Sequence, residues 1–156
     1  WLPIEGSGFF YETAFLVDQH WVSLWEIKNE RVRMRGMDIR DHGALICPAT
    51  SCPPANPALY SHKGLQPEIR KQMRAWVNHE ERGVQVEDGV AVFPALWEVY
   101  ENDFDFWTAQ QDLCLVAARF STPLLQRQLS RLSEQGCPHR FAIWDGSLND
   151  VGSTTY

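Results

Sequence analysis

Residues 84–93, VQVEDGVAVF, set Asp88-Gly89 between two runs that alternate apolar with polar or small side chains. Asp and Gly both tolerate the left-handed backbone that a two-residue type I′ turn needs at its centre, so the pair specifies an antiparallel hairpin. Just before it, residues 66–83, QPEIRKQMRAWVNHEERG, read as a helix. Pro67 suits the first turn, Ile69, Met73, Trp76 and Val77 recur along one helical face, and Gly83 supplies the stop. A helix with a stripe to cover, followed at once by a hairpin with a face to bury, commits this part of the chain to α+β packing.

The N-terminal third is rich in aromatic and β-branched residues. FFYETAFLV (9–17), HWVSLWEIK (20–28) and RVRMR (31–35) are separated by Asp18-Gln19 and Asn29-Glu30 and read as an antiparallel meander. A Pro- and Cys-rich loop over 47–64 divides this meander from a mixed α/β C-terminal part. It is too short to be a domain linker, so residues 1–156 are expected to form a single domain. Farther on, ALWEVYE (95–101) can extend the sheet, and Asn102 can cap a helix whose buried end is LCLVAARF (113–120), unless that run is a central strand. Ser121-Thr122-Pro123 opens another helix, with Leu125, Leu129 and Leu132 on its buried side and Gly136 closing it. RFAIW (140–144) reads as a short last strand. The expected fold is an α+β domain with an antiparallel sheet of about six or seven strands and two or three helices. If LCLVAARF is a strand, the C-terminal part adds a β-α-β unit with parallel strands.

Charge narrows the function. The formal net charge of −6 is unevenly spread: residues 1–78 sum to +1 and residues 79–156 to −7. Between Glu80 and Asp112 nine acids face Arg82 alone. Such a segment repels phosphate backbones and attracts basic partners, which argues against nucleic-acid binding. The longest apolar run, LCLVAA (113–118), falls well short of the roughly 18 residues that cross a bilayer, so membrane insertion is not expected. The chain starts with Trp1, not Met, which points to a removed or absent upstream segment. The compartment stays open, with the cytoplasm slightly favoured over the periplasm or the exterior.

Neither cofactor nor metal is implied. Cys47 and Cys52 form C-x4-C, wider than a C-x-x-C redox pair and unlike the usual zinc knuckles. A zinc site would have to recruit Cys137, His139, His42 or His62 through the fold. Cys114 reads as a small buried hydrophobe, and the loop cysteines as free, or bridged in an exported protein. DGSLND (145–150) resembles the opening of a calcium loop but has Asp150 where that loop needs glycine and Tyr156 where it needs glutamate.

The densest mixture of acids and rings is VYENDFDFW (99–107). Asp103 and Asp105 lie too close along the chain to serve as opposed acid and base across a sugar. Five large rings within eleven residues (Trp97, Tyr100, Phe104, Phe106, Trp107) are hard to bury on one side of one element. Interfaces draw affinity from a few aromatic anchors and specificity from charge complementarity. Glu98, Tyr100, Glu101, Asp103, Asp105 and Trp107 are therefore the expected binding surface of a non-enzymatic domain, an inhibitor, immunity protein or adaptor for a basic protein partner. One alternative is a hydrolase-like or ligand-binding enzyme domain using Ser121, Thr122 and Asp145, with His139 as a further candidate, in a pocket at the carboxyl end of RFAIW. Another is a structural domain of a larger secretion or surface assembly.

Overall fold

The computed structural model describes residues 8–32, 40–44, 49–54, 60–100 and 112–147. Two compact units divide the chain, Trp1–Asp38 and Ile39–Tyr156. Their boundary precedes the Pro- and Cys-rich loop at 47–64.

In the first unit a short helix, α1 (Gly8–Glu12), leads into β1 (Ala14–Val17) and β2 (His20–Ser23), which pair antiparallel with Leu16 opposite Trp21. Asp18 and Gln19 both have positive φ, 48° and 64°, the backbone of a type I′ turn. The meander expected from sequence stops there. The Ser23 amide donates to Glu26 Oε2 at 2.8 Å and the Glu26 amide to Ser23 Oγ at 3.1 Å, a reciprocal capping box that starts a helix inside HWVSLWEIK. The chain then winds as a π-helix over Glu26–Val32, so Arg31 and Val32 are helical; the rest of RVRMR lies outside the described residues.

The second unit is built around α3 (Leu65–Val77), which follows a four-residue helical turn, α2 (Asp41–Ala44). The stripe Ile69, Met73, Trp76 and Val77 is buried throughout. A Cβ on Gly43 would lie 2.7 Å from the Met73 Cα, so α2 crosses α3 where only glycine fits. α3 stops at Val77, capped by Asn78, and not at Gly83 as the sequence suggested; Gly83 instead packs against that helix end, where a Cβ would meet the carbonyl oxygens of His79, Trp76 and Val77 at 2.5 to 2.6 Å. The chain therefore doubles back tightly, and the Val84 amide bonds Val77 O at 2.9 Å.

The hairpin follows as β3 (Gln85–Glu87) and β4 (Val90–Phe93), turned by Asp88 and Gly89 at φ 49° and 78°. β5 (His139–Phe141) joins β4 in parallel, giving the order β3-β4-β5. Among the described residues there are thus two small sheets, of two and three strands, in place of the expected sheet of six or seven.

Two runs that were candidates for strands are helices. ALWEVYE contributes α4 (Ala95–Val99), entered from Pro94, and LCLVAARF contributes α5 (Leu113–Ala118), whose N-cap Asp112 accepts the Leu115 amide at 3.0 Å. With α5 helical, the parallel partner of the last strand is β4 of the hairpin, not LCLVAARF. α6 (Pro123–Glu134) completes the crossover, burying Leu129 and Leu132. No helix among the described residues is long and apolar enough to cross a membrane.

The core of this unit joins α3, β4 and α4. Trp97 stacks on Phe93 at 5.1 Å and meets Trp76 edge-on at 6.0 Å, and all three are fully buried. Each such ring contributes about 1.5–3 kcal/mol of burial, plus the geometric preference of aromatic pairs. Cys114, expected to be a small buried hydrophobe, is buried and bonded to Cys137 across a Cα–Cα distance of 5.8 Å. Cys52, read as free unless the protein is exported, is disulfide-bonded as well, and none of the described cysteines is free; Cys47 lies outside the described residues.

Candidate functional site

The pairing register of the second sheet decides which side chains share a face. Gln85, Val92 and Arg140 stand in one row across β3, β4 and β5, and Glu87 follows two residues along from Gln85. The other face carries Ala91 and Phe93, and the Phe93 ring packs on Trp97, His139 and Phe141. The Gln85–Val92–Arg140 face is the floor of a cleft of about 390 Å³.

One wall is the turn Glu81-Arg82-Gly83, placed there by the doubling back at Gly83. The other is a strap in which residues 50–51 run beside 145–147. The Thr50 amide donates to Ser147 O at 2.8 Å, the Ser51 amide to Asp145 O at 3.2 Å, and the Asp145 amide to Ser51 Oγ at 2.7 Å. The strap is anchored by buried, disulfide-bonded Cys52 and by the Gln72 side-chain amide, which donates to the carbonyl of Pro54. Pro94, Ala95, Ala142 and Ile143 supply apolar lining, with Ile143 92% exposed at the lip.

The cleft is acidic on balance. Three carboxylates (Glu81, Glu87, Asp145) line it against two guanidiniums (Arg82, Arg140). Arg140 is held by Glu87 in an ion pair. Ser147 bonds the Asp145 carboxylate, chiefly through its hydroxyl and also through its backbone N–H, and holds its pKa below the ordinary range. Asp145 is thus ionised at any pH near neutrality.

Of the expected partner-binding residues, Glu98 is exposed on α4. Tyr100 is 3% exposed with its ring 5.0 Å from that of His42, so it belongs to the core and not to an exposed surface. Glu101, Asp103, Asp105 and Trp107 lie outside the described residues. A concave cleft does lie at the carboxyl end of the last strand and includes Asp145, but Ser121, Thr122 and His139 do not line it. The Ser121 hydroxyl is spent on Ala117 O at 2.9 Å, and the Thr122 amide on Asn78 Oδ1 at 2.6 Å. These bonds shape the turn between α5 and α6.

The one cluster of metal-ligand chemistry among the described residues is Asp112, Cys114 and Cys137. Its two sulfurs are consumed in the disulfide, and Asp112 both caps α5 and accepts the Ser133 hydroxyl, so no thiolate pair is on offer. In the first unit, Leu16 (60%) and Trp21 (70%) are exposed on one face of the β1–β2 ribbon.

Thr50, Ser51, Gln85 and Arg140 were not singled out by sequence, and Glu81 and Glu87 only as members of the acidic segment. The available signal was the polar half of the alternation in VQVE and HRFA, which marks Gln85, Glu87 and Arg140 as one face of a strand. The chain matches no protein family, and no curated protein or solved structure is similar to it.

Proposed function

We propose that this chain is a non-enzymatic protein-binding domain for a partner with a basic surface, acting as an inhibitor, immunity protein or adaptor. The observation that carries the reading is that Glu80, Glu81, Glu87, Asp88 and Glu98 are all exposed in a stretch whose sole basic side chain is Arg82. A field of one sign on one part of a surface speeds encounter with the opposite sign and rejects like-charged partners. The bridged cysteines support a place of work outside a reducing cytosol, and the partner is sought there.

Affinity capture from the source organism tests this reading, at low and high ionic strength. The baits are the native chain, Glu80→Lys/Asp88→Lys/Glu98→Lys and Asp103→Lys/Asp105→Lys. The expected result is a stoichiometric basic protein that is released by salt and lost with either charge reversal. A partner that survives both reversals overturns the reading.

A further inference from the structure

We infer that the cleft on the open face of the β3-β4-β5 sheet is the pocket for one long cationic side chain, arginine or lysine, of a protein partner. The inference rests on the binding reading above and assigns it a place.

Three features fit such a side chain. A volume of about 390 Å³ is near the small end of ligand sites, which run roughly 300–1,000 Å³, so it suits one residue with its flanking backbone rather than an extended segment. The lining is split: Val92, Pro94, Ala142 and Ile143 offer an apolar track, and Glu81 and Asp145 offer carboxylates. Lysine and arginine have that same division, an aliphatic stem and a charged head. Finally, the cations already present do not balance the acids: with Arg140 on Glu87, Glu81 and Asp145 stand against Arg82 alone, and the balance of the cleft remains −1. An anion would have to displace Glu87 from Arg140 to gain its guanidinium.

The head group would meet Asp145 on a rigid wall. Its backbone N–H is fixed by Ser51 and its carboxylate by Ser147, so little freedom is lost when a cation binds. Glu81 on the facing wall is exposed and free to adjust.

The test is a titration of the full ¹⁵N-labelled chain with Nα-acetyl-arginine N-methylamide, its lysine counterpart, its neutral citrulline counterpart and acetate, following backbone amide shifts. Saturable shifts at Gly83, Gln85, Ala142 and Asp145 are expected with the arginine or lysine probe, and none there with citrulline or acetate. Glu81→Gln/Asp145→Asn removes both carboxylates and should weaken binding at least about tenfold, the loss of one charge-assisted hydrogen bond being the lower bound. If the double variant loses its dispersed spectrum, Glu81→Gln alone, on an exposed side chain, must still weaken the cationic probe. Absence of saturable shifts at those amides, an equal response to citrulline, or a response to acetate overturns the inference. Failure here with partner capture intact removes the cleft and leaves the acidic-surface reading standing; loss of capture with probe binding intact does the reverse.

Discussion

At Glu26 a single carboxylate redirects the backbone. It accepts the Ser23 amide, and Ser23 in return accepts the Glu26 amide, so two donors at a helix start are satisfied by two neighbouring side chains. The Ser23 backbone bond, then the Ser23 side chain, and last the Arg31 charge hold the Glu26 pKa below its ordinary value. A carboxyl whose folded pKa is depressed adds stability above its unfolded pKa and loses it as pH falls through the folded one. Amide hydrogen exchange over residues 24–32 is therefore expected to quicken as pH drops below the ordinary glutamate range, beyond the intrinsic pH dependence of exchange. Glu26→Gln keeps a side chain able to close the box but removes the titration, so its protection should stay flat over that window. Glu26→Ala should lose protection at every pH. The SLWE pattern that writes this cap was in plain view, but it sits in a run of aromatic and β-branched residues whose composition speaks for a strand. A local hydrogen-bond exchange outweighed propensity there.

Among the elements, legibility followed how locally each is determined. The α3 stripe and the Asp88-Gly89 turn depend on neighbours a few residues away, and both stand as read. The stretch from 95 to 120 is ambiguous because its apolar runs are short, and short buried helices and strands share composition. Pro94 and Asp112, each just ahead of a run, were the cues that resolve it toward helix. The cleft was legible only in part: Asp145 could be read as lying beyond the last strand, although that strand ends at Phe141 and not at Trp144, whereas the strap at 50–51 comes from a loop with no pattern of its own. The α3–β3 turn offers a sharp test. Gly83→Ala puts a methyl within 2.6 Å of three carbonyl oxygens, which the turn can relieve only by opening. A loss of about 1–3 kcal/mol is expected by urea unfolding, the usual range for overpacking. Because Arg82 and Gly83 form a wall of the cleft, the same change should also shift the amides of Gln85 and Ala142 in the native spectrum.

For the molecule as a whole, the Cys114–Cys137 bond ties the start of α5 to the entry of β5, across a sequence separation of 23 residues. On the loop-closure account a cross-link of that span stabilises by about 3 kcal/mol. Cys114→Ser/Cys137→Ser is expected to lower the unfolding free energy in urea by that order, and a reductant should cost the native chain more than this variant, which keeps only the Cys52 bridge to lose. Unfolding with and without reductant in both proteins checks it. The parallel seam between β4 and β5 has another consequence, in time instead of energy. About 45 residues separate the two strands, and at 5–20 residues per second their synthesis takes about 2 to 9 s. Throughout that interval β4, with the sequence VAVF, has one edge unpaired and no charged side chain to protect it. The residue that closes the disulfide, Cys137, arrives two positions ahead of the strand that covers this edge. Covalent closure and sheet completion therefore become available within a few residues of each other, only after α5 and α6 have been made.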